Sequence, residues 1–121
     1  MYAASSFRED RLPVLHDFIR EHPFAVLVSH GPAVGLQASH VPLVLDENRG
    51  SFGVLHGHVA RANPQWKSLA EGEVLAIFQG PHAYISPSWY ASKQEHGRVV
   101  PTWNYLAVHA HGQARVFDDA K

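Results

Sequence analysis

The sequence predicts a mainly β fold with short helices, an antiparallel barrel contained in one domain over residues 1–121. Three observations lead there. Apolar or alternating runs of strand length recur along the chain. Turn chemistry joins them, as in His30-Gly31-Pro32 and in the stretch from Asp46 to Gly50. Helical signals are confined to the front of the chain and to a short stretch after Asn63-Pro64.

Taken in order, Asp10 is placed to cap a first helix running through Ile19, with Leu12, Leu15, Phe18 and Ile19 on one face and His22-Pro23 as its stop. Phe24 to Val28 is apolar on both faces and reads as a buried strand. From Leu36 to Leu45 the pattern alternates, with Val41, Leu43 and Leu45 together, and a hairpin loop follows. A third strand is expected over residues 51–60, where period two aligns Phe52, Val54, His56 and His58. Asn63 then caps a short helix that tolerates Pro64 at its first position, because that N–H would have had no partner. A fourth strand spans residues 73–79. The last extended run reaches from Val99 to Phe117, with Leu106, Val108 and Ala110 facing opposite to His109 and His111, and Gly112 marking a bend or bulge.

Composition narrows the function. A chain with 45% hydrophobic and 17% charged residues has the composition of a folded globular domain. The absence of cysteine excludes disulfides, thiolate metal sites and cysteine nucleophiles. No leader pattern opens the chain, and no apolar run approaches the roughly 18 residues of a membrane span, so a cytoplasmic location is expected. A net charge of −1, with scattered lysines and arginines, argues against direct DNA contact by this chain.

Three features could carry chemistry. In "LHGHVARANPQW" (residues 55–66), Arg61 stands two residues ahead of a capped helix start, a combination that suits a phosphate or carboxylate. The competing reading is that Arg61 makes a surface ion pair and Asn63 only caps. The ten histidines include the strand pairs His56/His58 and His109/His111, with His40 and His82 as further candidates. Without HExxH or an acidic residue at ligand spacing, these favour hydrogen bonding or pocket lining over a metal. In "GPHAYISPSWY" (residues 80–90), and in Trp103 and Tyr105, aromatic rings are mixed with hydroxyls and an amide, which suits a flat ligand or an interface as well as core packing. No GxSxG or GxGxxG is present.

The ordered segments "ASHVPLVLD", "LHGHVARANPQW", "IFQGPHAYISPSWY" and "VPTWNYLAVHAHG" resemble the PaiB-type FMN-binding negative transcriptional regulators, the family that includes the repressor of protease synthesis and sporulation. The resemblance runs from Met1 to the end of the chain. It implies an FMN-binding split β-barrel similar to pyridoxamine-phosphate oxidases and flavin reductases, as a homodimer with flavin near the subunit interface. Carried over by position, it implies Arg61 and Asn63 as phosphate contacts with His58 nearby, and Ser86 or Ser88 as hydroxyl donors. It further implies Trp89 and Tyr90 as ring or interface contacts, Thr102, Trp103 and Asn104 along the pocket, and Lys93 closing over it. Family members continue past the point where this sequence ends, at Asp118-Asp119-Ala120-Lys121, so the barrel is expected to be C-terminally truncated. The implied function is a flavin-binding repressor. The alternative is an FMN-dependent oxidoreductase or flavin reductase using the same pocket.

Overall fold

Two central strands carry the fold because their inner faces are built from small and large apolar residues in register. In the computed structural model, which describes residues 8–85 and 102–118, Ala25 pairs with Phe78 and Phe78 with Val108, while Leu27 pairs with Ala76 and Ala76 with Ala110. The elements are α1 (Leu12–Glu21), β1 (Phe24–Gly31), β2 (Gly35–Pro42), β3 (Val44–Asp46), β4 (Val54–His56), a 3₁₀ helix (Pro64–Lys67), β5 (Glu73–Ile85) and β6 (Thr102–Gln113). β1, β2, β5 and β6 form an antiparallel sheet in the order β2-β1-β5-β6, and β3 and β4 form a separate hairpin. This mainly β, antiparallel architecture is consistent with the expected split-barrel-like fold.

The core closes where α1 and the hairpin lie against the inner face of the larger sheet. Ile19, Ala25, Val41, Leu43, Ala76 and Phe78 form its buried cluster, and Phe18, Leu27, Leu45, Leu55, Val59, Val108 and Ala110 pack around it. Phe78 and Ala25 are wholly inaccessible.

Several elements depart from the sequence expectation. The helix is entered at Arg11, not Asp10, and no side chain caps it; Pro13 in the first turn removes one N–H that would have needed a partner. Its buried positions are Ile19 and His16. Leu12, Leu15 and Phe18 are only half-buried. His16 is buried because its Nε2 lies 2.7 Å from the carbonyl of Phe52, where it must donate, while Nδ1 lies 3.7 Å from Glu47, itself 2.7 Å from Arg20. That fastening holds the turn between β3 and β4 to the helix. Gly53 completes it with φ +101, a backbone conformation L side chains rarely adopt, and a Cβ there would come within 2.9 Å of Leu45.

The expected third strand shrinks to Val54–His56: residues 51–52 turn, and Phe52 is 77% exposed. His58 therefore lies beyond the strand instead of beside His56. The run expected from Leu36 to Leu45 breaks at Leu43 into β2 and β3. Gly112 sits in regular pairing with Val74, and the irregularity falls between Gln79 and His82, where β5 carries one residue more than β6.

The outer face of the larger sheet is also apolar along its middle. His40, Val26, Ile77 and His109 form one cross-strand row, and Ala38, Val28, Leu75 and His111 the next. Val26, Val28, Leu75 and Ile77 are half-buried and stand outside the core cluster. Burial among these neighbours holds the His109 pKa below its ordinary 6.5, with His111 adding a smaller push in the same direction. The unfolded chain thus takes up this proton first as pH falls. Stability should drop as pH is lowered through about 6.5, and His109→Gln should flatten that part of a melting-temperature profile.

Candidate functional site

The inner face of the β1/β2 pair changes character along its length. Ala25, Leu27 and Val41 serve the core, but the next inward positions are Ser29, Gln37 and Ser39. A polar half-face cannot be covered by aliphatic side chains without leaving hydroxyls unpaired. The chain covers it with the 3₁₀ helix and the segment leading into it.

Asn63 makes the junction. Its Oδ1 accepts from the backbone N–H of Gln65 at 3.0 Å, the cap read from the sequence, and its Nδ2 donates to Ser39 Oγ at 2.9 Å. The loop before it is closed by Asn63 N–H on the Ala60 carbonyl at 2.8 Å and by Trp66 Nε1 on the Arg61 carbonyl at 2.9 Å. Below it lies Gln65, wholly buried, whose amide NH2 reaches Leu27 O at 2.8 Å, Ser29 Oγ at 3.0 Å and Gln37 O at 3.3 Å. Ser29 and Ser68, both buried, are joined at 3.1 Å. Gly31 is needed for this approach, since a Cβ there would lie 2.9 Å from that of Ser68. Replacing Asn63 by alanine removes the cap and the tie to Ser39, and should lower stability by about 1–2 kcal/mol in a denaturant melt.

Arg61 is exposed; its Nη2 donates to Asp118 Oδ1 at 2.8 Å and lies 2.8 Å from Oδ2 in a surface ion pair. The surface ion pair and the simple cap that competed with the anion reading are thus both present. The carboxylate is nonetheless an oxyanion seated on the guanidinium, and a phosphate oxygen would use the same donor. His58 is exposed in the same connecting segment, and Lys67 Nζ stands 5.8 Å from the centre of the Trp66 ring.

Of the residues expected at the site, Arg61, Asn63 and His58 come together in one segment between β4 and the 3₁₀ helix. Asn63 turns its amide inward, to Ser39 and the helix start. Thr102, Trp103 and Asn104 lie on β6 with backbones paired to Ile85, Tyr84 and Ala83. Ser86, Ser88, Trp89, Tyr90 and Lys93 lie outside the described residues. Gln65, Ser29, Ser39 and Ser68 were missed by sequence reasoning. For Ser29 and Ser39 the signal is a polar residue at alternate positions in strands otherwise apolar on that face; Gln65 and Ser68, in and just after the short helix, carry none. Among the described residues no three histidine, aspartate or glutamate side chains gather as a metal site, and no helix is long and apolar enough to cross a membrane.

The fold is mainly β and antiparallel, with the loop that carries Arg61 and Asn63 set against one sheet. Over residues 1–121 the sequence matches the family model described as "Putative FMN-binding domain", and the chain belongs to that family. It is 37% identical to the protease synthase and sporulation protein PAI 2 of Bacillus subtilis, covering 98% of this chain and 54% of that one. It is also 37% identical to an uncharacterized protein of Emericella nidulans and 36% identical to one of Aspergillus fumigatus, covering all of this chain and 59% and 58% of theirs. The chain thus spans a little over half the length of these relatives.

Proposed function

We propose that this chain is the flavin-binding part of a cytoplasmic PaiB-type negative transcriptional regulator, a homodimeric split barrel that holds the phosphate of FMN on the segment from His58 to Asn63. The observation that carries the reading is the match to an FMN-binding family over the whole length, in a chain where Arg61 already receives an oxyanion. FMN, when bound, supplies redox chemistry of its own; the chain's part is to bind and orient it.

In this reading Arg61 exchanges Asp118 for the phosphate and His58 offers a second donor from the same segment. Asn63 contributes by fixing the loop, because both ends of its amide are engaged. By the resemblance, Ser86 or Ser88 would supply hydroxyl donors, Trp89 and Tyr90 ring or interface contacts, Thr102, Trp103 and Asn104 further pocket contacts, and Lys93 would close over the pocket. The homodimer is supported by the apolar outer face of the larger sheet and by exposed Tyr105, Leu106 and Phe117. The regulatory role rests on the likeness to PAI 2. With a net charge of −1, direct DNA contact by this part alone is disfavoured, and repression would act through the remainder of a longer protein or indirectly.

The test is a pair of assays on the flavin-loaded protein. A salt-sensitive shift of promoter DNA by the full-length protein, without NAD(P)H oxidation, is the expected result. Anaerobic bleaching of the bound flavin by NAD(P)H with turnover would instead make it an FMN-dependent oxidoreductase or flavin reductase.

A further inference from the structure

The hydrogen atoms around Gln65 can be assigned. Leu27 O and Gln37 O only accept, so the NH2 end of the carboxamide must face them and cannot be exchanged with its oxygen. Ser68 directs its hydroxyl proton to the Gln65 carbonyl at 3.1 Å, which leaves Ser29 to donate to Ser68 and to accept from Gln65 Nε2. Donation thus runs in one direction, from the Gln65 side chain through Ser29 and Ser68 back to the Gln65 backbone. Among the described residues no donor reaches the buried Gln65 Oε1. The two carbonyl acceptors and the one-way circuit hold the buried carboxamide to a single orientation.

The same circuit anchors the loop above it. Gln65 N–H is held by Asn63, Asn63 by Ser39, and the Arg61 carbonyl by Trp66, the residue next to Gln65. Among the described residues, Gln65 alone hydrogen-bonds from this segment to both β1 and β2.

We propose that Gln65 is the positioning residue of the anion-binding segment, its carboxamide pinning the loop that presents Arg61 to the polar half-face of β1 and β2 without itself touching the ligand. The proposal rests on the reading that this segment receives the FMN phosphate, and it adds the group that sets the segment's place.

The test is Gln65→Glu, which keeps the shape and removes the two donated hydrogens. FMN affinity and backbone amide exchange are measured together under conditions where the variant is folded. Binding should weaken about tenfold or more at pH 8. The ratio of variant to wild-type affinity should recover as pH falls, because protonating the introduced carboxylate restores one donor toward Leu27 and Gln37. Exchange should quicken locally at Asn63, Gln65 and Ser68 while the amides of β1 and β5 stay protected. Should this variant fail to fold, Ser29→Ala removes one acceptor of Gln65 and breaks the circuit without adding charge, and is read by FMN affinity and local amide exchange, with no recovery expected at low pH.

Affinity and exchange equal to wild type in the folded variant would overturn the proposal, as would a uniform rise in exchange across the sheet, which marks Gln65 as a general core stabiliser. If the wild-type chain binds no FMN, the functional reading fails. The exchange pattern still decides whether Gln65 holds the loop.

Discussion

Phe78→Ala is expected to destabilise the chain by about 3–5 kcal/mol, a large part of the roughly 5–15 kcal/mol that keeps a domain folded. Phe78 is wholly buried at the crossing of three elements, between Ala25 on β1 and Val108 on β6 and within the cluster that includes Ile19 of α1. Its partners across the sheet are too small or too constrained to fill the space. Ala25 has no further atoms to offer, and Val108 is fixed by its own strand pairing. The cavity should therefore persist, which places the cost toward the upper end of the range. Denaturant unfolding of wild type and variant measures it. A loss below about 1 kcal/mol, the size of a relaxed or surface change, would mean that the core closes elsewhere.

Arg61→Ala should behave in the opposite way. Its pair with Asp118 is exposed on both sides, so stability should change by less than about 1 kcal/mol. FMN affinity should fall about tenfold to a hundredfold, the value of hydrogen bonds to a charged group. Titrating both proteins with FMN, followed by thermal melts without ligand, separates the two effects. A variant that binds FMN as wild type does would move the phosphate site away from this segment.

How much of this was legible in the sequence depends on whether the determinant was local. β1 is announced by five successive apolar residues, and the Asn63-Pro64 start is read correctly because capping needs only neighbours in the chain. The break at Leu43 is invisible: Val41, Leu43 and Leu45 keep their period on both sides of it, so no alternation is lost. The third strand is overextended because Phe52 and His58 continue the alternation of Val54 and His56, while the backbone at Gly53 ends the pairing. The bulge in β5 is set by pairing with β6, a partner about 25 residues away, and not by any feature of Gly112.

The site divides along the same line. Arg61 and Asn63 stand out because charge and capping are properties of residue type. Gln65 does not, although it lies in the same "ANPQW", because a glutamine in a short helix is ordinarily solvated. Its role depends on Ser29, Gln37 and Ser39 arriving from two other strands. His16 is a parallel case. Nothing next to it in sequence foretells that a carbonyl 36 residues later will make its burial favourable.

The measurement that bears most directly on the account is a titration of the purified chain with FMN, followed by flavin fluorescence and read for stoichiometry. Saturable binding of one FMN per chain, competed by inorganic phosphate or pyrophosphate, is the predicted result. An unchanged flavin signal at every reachable FMN concentration would contradict it, leaving this chain with the fold of an FMN-binding family and no flavin site of its own.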